Sequence, residues 1–499
     1  MRLLTGGVGI IATLVFAFAT MAQDITLTAR DGGLALSGQL VSYDGEFYRV
    51  DTVYGGLTVA SEGVICDGPA CPELTAPLTV IRVVGAAEAG ARLLPRLFAG
   101  FAAARGLTYI AGETGSDTSE ITDPLTAQPL ARISFVAMPP DASRAEVLGR
   151  KASLALLFQS TKSAHDRAVG LEPLIPIVAQ NNLFPAIRSS DLSAALTGKI
   201  TNWQELGGPD MPIVVHALTP DADFAAAISA RVGQLASGPR HADAESLAAA
   251  VAHDPWALAL IGQSDKGAAR ALPLTDACDF PMLATDLNVK AEDYPLTVPL
   301  FLAYGRYRQP LLLREFLEYL ATDAAQADVA AAGFVDRRLG RAPLTEDGQR
   351  LLGAIRNAGT EVPLAELQRL ATAMTGGQRL SLTFRFQDGS AQLDAHSREN
   401  LADLARQIAA GNFRGESLAL AGFSDGTGTA AVNLDLSRTR AEAVRSALRV
   451  IAPDLRDDQL PRIEAFGEAL PMACDTTATG RQINRRVELW VHPIGNAIP

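Results

Sequence analysis

At 499 residues the chain is too long to be organised around a single hydrophobic core, and its length predicts two to four domains. Acidic residues outnumber basic ones by 55 to 43, so the formal net charge is −12 at pH 7. No basic block compensates for this excess, which argues against nucleic acid as a partner.

The N-terminus has the pattern of a secretory signal peptide. Arg2 precedes an apolar run over residues 6–19, and small residues lead from there to an expected cleavage site after about Ala22. The run is short for a membrane span, and no later stretch is long and apolar enough to cross a bilayer. We therefore predict a signal peptide over residues 1–22 and an exported mature chain without a transmembrane span.

Residues 23–75 are predicted to form a small β accessory module. Four β-type runs alternate there with glycine-containing turns. Cys66 and Cys71 lie five residues apart in a chain expected to reach an oxidising compartment, which predicts a disulfide that closes a tight loop. No constellation of catalytic residues occurs in the module, so we interpret it as an accessory or docking unit.

From Leu78 onward, strand and helix patterns alternate. Apolar runs over residues 78–84 and 153–158 predict strands, and the spacing over 87–106 predicts a helix between them. Such alternation indicates open α/β sheets, whose ligands bind at the carboxyl ends of the strands. The donors that follow the second strand and suit an oxyanion are Ser160, Thr161 and Lys162.

Within this region the run over residues 196–208, LTGKITNWQELGG, is quite specific. Together with segments at 169–172, 294–301 and 332–335, it makes residues 76–338 resemble phosphate-binding proteins of the PstS type. The resemblance implies a type II periplasmic binding fold, in which two α/β lobes joined by a hinge hold a solute in the cleft between them.

Two turns of this region depart from the PstS pattern. Where family members carry Ser and Thr, residues 85–88 read Gly-Ala-Ala-Glu, and the second turn, 218–223, contains Asp221 and Asp223. An unpaired carboxylate about 4 Å from a phosphate costs roughly 4 kcal/mol at an effective dielectric constant near 20. We therefore predict a degenerate site with weak or absent phosphate binding; retained phosphate binding is the alternative.

Near the C-terminus, a short apolar strand over residues 418–421 ends in a glycine-rich turn, and a helical pattern begins at about Asn433. Arg440 falls on the predicted apolar stripe of this helix, together with Leu436 and Val444. A guanidinium cannot lose its charge and so requires an anionic partner there. Asp425, at the end of the strand, is the candidate.

The motif formed by these residues resembles the OmpA-like peptidoglycan-binding domain over residues 379–495, which implies a small α+β sandwich. Matching pieces lie upstream at 384–394 and downstream at 480–487. In the family, the residues matching Asp425 and Arg440 clamp the zwitterionic end of diaminopimelate in the cell-wall stem peptide, an arrangement that pairs each ligand charge with its opposite. The peptidoglycan-binding residues that the resemblance implies are Asp425, Arg440, Asn433, Ser437 and Arg485.

Two points at this site stay open on sequence alone. An internal ion pair between Asp425 and Arg440 is the alternative to ligand binding. Phe423 stands where the family usually has His, so the rim of the pocket is expected to differ.

Residues 339–378 are interpreted as a partly helical linker. Cys278 and Cys474 either pair across a domain interface or stay buried as thiols. The six histidines form no ligand-spaced pair and no nucleophile motif occurs, so we predict no metal, no cofactor and no enzymatic activity.

Together these patterns predict a multidomain α/β plus α+β protein of the bacterial periplasm. Its OmpA-like domain would hold peptidoglycan on the outer-membrane side of the envelope, while its PstS-like domain presents a cleft to a solute or partner. The alternative is a phosphate receptor of an ABC transporter that is immobilised on the wall. The sequence does not indicate the oligomeric state.

Overall fold

The computed structural model of the protein describes residues 25–29, 33–43, 45–71, 78–112, 118–160, 164–343, 361–386 and 392–494. The predicted signal peptide lies outside these residues, as do Thr161 and Lys162. Among the helices described, none combines the length and the apolar character needed to cross a bilayer.

The N-terminal module is a five-stranded antiparallel sheet in the order β4-β3-β2-β1-β5. Its strands are β1 (Ile25–Ala29), β2 (Ala35–Tyr43), β3 (Phe47–Thr52), β4 (Gly55–Ala60) and β5 (Val64–Asp67). The core is small and centres on Ile25, Leu27, Tyr48 and Val50. Because β5 ends beside Cys66, the disulfide from Cys66 to Cys71 closes the loop that leaves the sheet.

The middle region is built on one ten-stranded mixed sheet with helices packed against it, as expected for two α/β lobes. The strands of this sheet are β6 (Thr79–Gly85), β7 (Thr108–Ile110), β8 (Thr118–Thr122), β9 (Pro129–Ala137), β10 (Leu154–Leu157), β11 (His165–Val178), β13 (Val214–Val215), β16 (Ala257–Gly262), β17 (Arg270–Ala271) and β20 (Thr297–Tyr304). Two small additional sheets consist of β12 (Ile187–Arg188), β18 (Leu274–Thr275) and β19 (Pro281–Met282), and of β14 (Ala217–Leu218) and β15 (Arg240–His241).

Eight helices of this region are described: α1 (Ala87–Ala104), α2 (Pro140–Leu148), α3 (Ser189–Leu196), α4 (Ala225–Val232), α5 (Ala244–His253), α6 (Asp286–Lys290), α7 (Leu311–Tyr319) and α8 (Asp323–Ala331). The predicted apolar face of α1 is buried, and Phe98 stacks on Phe316 of α7 with ring centroids 4.3 Å apart. α1 begins at Ala87 and runs through Pro95, so the proline does not delay the start of the helix.

The long strand β11 joins the two lobes. Residues 165–173 pair with β20 in the first lobe (78–160 and 297–335), and residues 174–178 pair with β16 and β17 in the second lobe (187–293). A single strand that belongs to both lobes is the connection that the predicted hinge requires. The α/β class predicted for this region is confirmed.

The C-terminal region is a five-stranded sheet in the order β21-β22-β25-β23-β24. Its strands are β21 (Arg341–Pro343), β22 (Gln378–Arg385), β23 (Glu416–Gly422), β24 (Arg462–Ala465) and β25 (Arg486–Pro493), and its helices are α9 (Leu364–Met374), α10 (Ala395–Ala409), α11 (Ala430–Ile451) and α12 (Ala478–Asn484). Alternation along β23 sends Leu418 and Leu420 towards α10 and α11, and Ala419 and Ala421 towards α9.

Part of the predicted linker is integrated into this C-terminal fold. β21 pairs with the edge of β22, and Leu370 and Met374 of α9 pack against Phe423, Phe466 and Trp490. Without α9, the second face of the sheet would expose this apolar cluster, which explains why the segment is ordered against the sheet.

The predicted buried stripe of α11 is confirmed at Val444 and wrong at Leu436. Leu436 is 43% exposed, whereas the buried positions are Asn433, Ser437, Ala441, Val444 and Leu448. Polar Asn433 and Ser437 can occupy buried positions because each has a hydrogen-bond partner at its own site. Arg440 consequently lies at the edge of the buried face, half-buried rather than within the core.

The second lobe and the C-terminal sheet are joined covalently and by buried charge. A disulfide links Cys278 to Cys474, 196 positions further along the chain. The Asp293 carboxylate receives Arg379 Nη2 at 2.6 Å and Arg385 Nη2 at 3.0 Å, and the Arg379 side chain is fully buried. These contacts fix how the two regions are oriented.

Replacing Asp293 with Ala should lower the free energy of unfolding by about 3 to 5 kcal/mol, because it leaves two buried guanidinium groups without their shared counter-charge. Urea unfolding followed by circular dichroism measures the loss. Asp458→Ala, which removes an exposed acid paired with Arg456, is the matched control and should leave the midpoint unchanged. Equal midpoints for the two variants would contradict the assignment of Asp293 as the central contact of this interface.

Candidate functional site

The turn after β23 is held tightly against the rest of the C-terminal sheet. Phe423 donates its backbone N–H to the Arg486 carbonyl and Ser424 donates to the Gly467 carbonyl, both at 2.8 Å. A Cβ at Gly422 would lie 2.1 Å from the Ser437 carbonyl oxygen, so only glycine allows β23 to approach α11 this closely. The turn therefore delivers Asp425 to a defined position.

Asp425 is 8% exposed and pairs with Arg485, the residue that follows α12. Arg485 Nη1 lies 3.2 Å from Asp425 Oδ2, and Asp425 Oδ1 accepts a hydrogen bond from the Thr427 N–H at 3.0 Å. The partner predicted from sequence was Arg440. The structure assigns that place to Arg485, which is 60 residues from Asp425 in sequence and close to it in the fold.

Arg440 lies beside this pair without forming an ion pair within the described part of the chain. Its Nη1 is 3.5 Å from the Phe423 carbonyl, and its guanidinium lies over the Phe386 ring at 5.7 Å. Burial lowers the pKa of Arg440, the Arg485 guanidinium lowers it further, and Asp425 opposes both effects. The internal Asp425–Arg440 ion pair considered as an alternative is therefore not the arrangement found.

Ser437 and Asn433, also predicted as site residues, are almost completely buried. Ser437 Oγ donates to the Leu434 carbonyl at 2.7 Å and accepts from the Gly467 N–H at 3.0 Å, so Ser437 positions the turn that holds Ser424. Asn433 donates through Nδ2 to Glu468 Oε2, while its Oδ1 is buried without a hydrogen-bond partner among the described residues. A free acceptor of this kind marks a place for a ligand or water donor.

Two carboxylates that sequence reasoning missed, Glu468 and Asp475, complete the cluster. Asp475 accepts the Gly426 N–H at 2.8 Å and Asn484 Nδ2 at 2.7 Å, which ties the Asp425 turn to α12. Burial raises the pKa of Glu468, and the carboxylates of Glu361, Asp475 and Asp425 raise it further, while the hydrogen bond from Asn433 opposes them. The sequence spacing around Glu468 and Asp475 does not mark either residue as part of a site. The only available signal is that both lie between the two motifs that match the OmpA-like domain.

The arrangement thus places several carboxylates beside two guanidinium groups at the surface of the C-terminal sheet. Carboxylates attract an ammonium group and guanidinium groups attract a carboxylate, so the cluster suits a ligand that carries both charges. Among the described residues, no group of three or more His, Cys, Asp or Glu side chains has the geometry of a metal site.

In the middle region, the start of α1 is capped by a carboxylate from the opposite lobe. Asp223, between β14 and α4, accepts the backbone N–H groups of Ala87 at 2.6 Å, Glu88 at 2.9 Å and Ala89 at 3.0 Å. In return, Glu88 accepts the N–H of Ala244, the first residue of α5, at 2.9 Å. Two helix N-termini that face the cleft therefore already hold an anion supplied by the protein.

The remaining anion-binding prediction is tested only at Ser160, since Thr161 and Lys162 lie outside the described residues. Ser160 Oγ donates to Asp166 Oδ2 at 2.6 Å, so its hydroxyl is engaged within the first lobe. The small cavity beside Asp223, of about 380 Å³, has a largely apolar lining that includes Phe158, with Asp221 contributing a second acid.

A buried carboxyl group lies where the lobes meet. Glu172 of β11 is fully buried and accepts the Ser264 N–H at 2.9 Å and hydroxyl at 3.1 Å. Burial raises the pKa of Glu172 to about 8, against the opposing effect of the Ser264 hydrogen bonds. Glu172 is therefore protonated at neutral pH in the folded protein and ionised in the unfolded chain.

Two family models match the chain. The OmpA family model matches residues 385–485, and a PBP superfamily domain model matches residues 114–324. The chain therefore carries a PBP superfamily domain followed by an OmpA domain, and the resemblances found in the sequence are confirmed at this level.

Curated relatives match through the OmpA domain. Outer membrane porin F of Pseudomonas aeruginosa is 34% identical over 114 residues, covering 23% of this chain and 31% of the relative. Peptidoglycan-binding protein ArfA of Mycobacterium tuberculosis is 31% identical over 130 residues, covering 26% of this chain and 37% of the relative. The probable lipoprotein YiaD of Escherichia coli is 38% identical over 73 residues, covering 15% and 32%. The chain thus spans about a third of the length of these relatives.

Solved structures align with about half of the chain. A putative phosphate ABC transporter substrate-binding protein with bound phosphate, from Clostridium perfringens, has 18% identity and a TM-score of 0.41, covering 52% of this chain and 99% of its own. An ABC-type phosphate transport receptor from Vibrio cholerae has 16% identity and a TM-score of 0.40, covering 51% and 99%.

The raised pKa of Glu172 makes stability depend on pH. Between about pH 4.5 and 8 the Glu172 side chain keeps a proton in the folded protein that it has lost in the unfolded chain. The contribution of Glu172 to the free energy of unfolding is therefore most favourable below this window and falls as pH rises through it. The fall amounts to about 5 kcal/mol at most, from the size of the shift. Glu172→Gln, which resembles the protonated side chain, should flatten this dependence in urea unfolding from pH 5 to 8.

The exposed change Glu120→Gln on β8 is the matched control, since Glu120 only pairs with Arg132 at the surface. An identical pH dependence for the wild type and Glu172→Gln would show that Glu172 is not protonated in the folded state.

Proposed function

We propose that this chain is a non-enzymatic protein of the bacterial periplasm that holds peptidoglycan through its OmpA domain. The observation that carries the proposal is Arg440, a half-buried guanidinium without an ion pair in the described chain, beside the carboxylate of Asp425. A charge left in this state calls for an external partner. Both matching family models describe binding or structural domains rather than enzymes.

The ligand of this site is, on this proposal, the zwitterionic end of diaminopimelate in the wall stem peptide. Arg440 receives its carboxylate, and Asp425 receives its ammonium group with support from the neighbouring acids. Arg485 pairs with Asp425 and holds the Asp425 carboxylate in place. The Arg485 guanidinium also lies close enough to Arg440 to lower the pKa of Arg440. The similarity of this domain to a peptidoglycan-binding protein and to an outer membrane porin supports this assignment.

The domain division supports the same function. We propose a signal peptide over residues 1–22, the β module over 23–75, the binding-protein domain over 76–338, the linker over 339–378 and the peptidoglycan-binding domain over 379–495. Export followed by wall binding would place the protein on the outer-membrane side of the periplasm.

The cleft of the PBP superfamily domain is, on this proposal, a degenerate phosphate site. Asp223 takes three backbone donors at the start of α1, and Glu88 takes one at the start of α5, so a phosphate would have to displace both carboxylates. The competing function is an immobilised phosphate receptor. It is favoured by the backbone N–H groups at the starts of α1 and α5, which are arranged to hold an oxyanion.

Arg440→Ala should abolish co-sedimentation of the protein with purified sacculi, because it removes the guanidinium that receives the ligand carboxylate. Arg438→Ala is the matched control, since Arg438 is an exposed arginine two positions away on the same helix. Unchanged sedimentation of Arg440→Ala, in a variant whose unfolding midpoint equals that of the wild type, would overturn the wall-binding proposal.

Isothermal titration of the mature protein with orthophosphate should give no binding in the micromolar range. One carboxylate left near the anion already costs about three decades of affinity. The Ser variant Asp223→Ser, which removes the charge and adds a hydroxyl donor, serves as the comparison. Micromolar affinity in the wild type would establish the receptor function instead.

A further inference from the structure

A second opening, which we call the arginine groove, lies between the PBP superfamily domain and α10 of the OmpA domain. Its volume is about 1090 Å³, and tyrosine and histidine rings form part of its wall. The guanidinium side chains that line it are Arg167, Arg306, Arg308, Arg314 and Arg406. Five arginines around one opening stand out in a chain whose net charge is −12.

Acidic side chains balance only part of this charge. Arg308 and Arg314 share the carboxylate of Glu46, and Arg406 pairs with Asp403, which also receives Arg337 at 3.2 Å. The only carboxylate among the described lining residues is Glu318. Glu399 is a further acid that acts on Arg167 and Arg406, and it pairs with Arg337 at 3.3 Å.

Arg167 and Arg306 are the two arginines that form no ion pair within the described residues. Burial lowers the pKa of Arg167, the guanidinium of Arg337 lowers it further, and Glu399 and Tyr304 oppose both effects. Burial also lowers the pKa of Arg406, as do Arg167 and Arg337, and Glu399 opposes them. Like charges are thus held close together by the fold, an arrangement that an added anion would relieve.

The groove already binds one carboxylate group of the protein. Arg308 Nη2 lies 2.6 Å from Glu46 Oε2, and its guanidinium lies over the Phe47 ring at 4.9 Å. Glu46 belongs to the turn that leads into β3 of the N-terminal module, so this contact docks the module against the first lobe. It shows that the groove is shaped to receive an oxyanion between two guanidinium groups.

We propose that the arginine groove binds a multivalent oxyanion, with Arg167 and Arg306 supplying charge that no side chain satisfies among the described residues. Guanidinium groups bind phosphoryl and carboxylate oxygens through paired N–H donors, and five of them line one opening, so a ligand with several such groups can contact more than one. Tyr304 and Tyr307 add aromatic surface and hydroxyl donors beside the two arginines. This site is separate from both the cleft at Asp223 and the cluster at Asp425.

The test measures binding of tripolyphosphate and of orthophosphate to the mature protein by isothermal titration. Tripolyphosphate should bind about tenfold tighter than orthophosphate or better, because it can contact more than one guanidinium at a time. The double variant Arg167→Gln with Arg306→Gln should weaken tripolyphosphate binding by about tenfold or more.

The matched control is Arg438→Gln with Arg445→Gln, which removes two charges from the exposed face of α11 and should leave the affinity unchanged. Absence of tripolyphosphate binding, or equal loss in both double variants, would overturn the proposal. Arg306 is exposed, so Arg306→Gln alone supplies a folded variant if the double change impairs folding.

A third arm separates a soluble or polymeric ligand from a lipid headgroup by sedimentation with phosphatidylglycerol vesicles. Vesicle binding that is lost in the Arg167 and Arg306 double variant assigns the same oxyanion chemistry to a membrane source. Vesicle binding that persists in that variant, without tripolyphosphate binding by the wild type, would also overturn the proposal.

Discussion

The structure depends on a buried chain of charges that begins in the second lobe and ends beneath the Asp425 cluster. Asp293 binds Arg379, Arg379 Nε lies 3.5 Å from Glu488, and Glu488 binds Arg486 at 2.8 Å. The three side chains from β22 and β25 are fully buried, so each requires its neighbour. Arg486 also lies over the Phe423 ring, two residues before Asp425. The same set of buried charges therefore holds the second lobe against the C-terminal sheet and supports the turn that carries Asp425.

In the PBP superfamily domain, two helix N-termini are capped by side chains of the opposite lobe. Asp223 and Glu88 each cross from one lobe to a helix N-terminus of the other, so the contacts that a bound anion would make are replaced by contacts within the protein. Arg92 of α1 adds an ion pair to Asp265 at 2.8 Å. These contacts connect the two lobes through the protein's own side chains.

Much of the fold could be predicted because apolar periodicity is local. The strands β6 and β10 and the helix α1 follow from spacing alone. The site was predicted in part: Asp425 and Arg440 lie together, but nothing local indicates that Asp425 pairs with Arg485, or that Asp475 holds the turn. Part of the buried face of α11 was missed because buried Asn and Ser look like surface residues until their partners are known. The acidic turns suggested a poor phosphate site, whereas the carboxylate cap on α1 required the tertiary structure.

The disulfide between Cys278 and Cys474 has a mechanical consequence under the proposed wall-binding function. Cys474 directly precedes Asp475, whose side chain holds the turn of Asp425, so the bond attaches the second lobe close to the point of grip. A pull on the wall contact would load this covalent bridge as well as the non-covalent interface. The two domains would then yield to tension as a single unit, and shear between them would be resisted where the force enters.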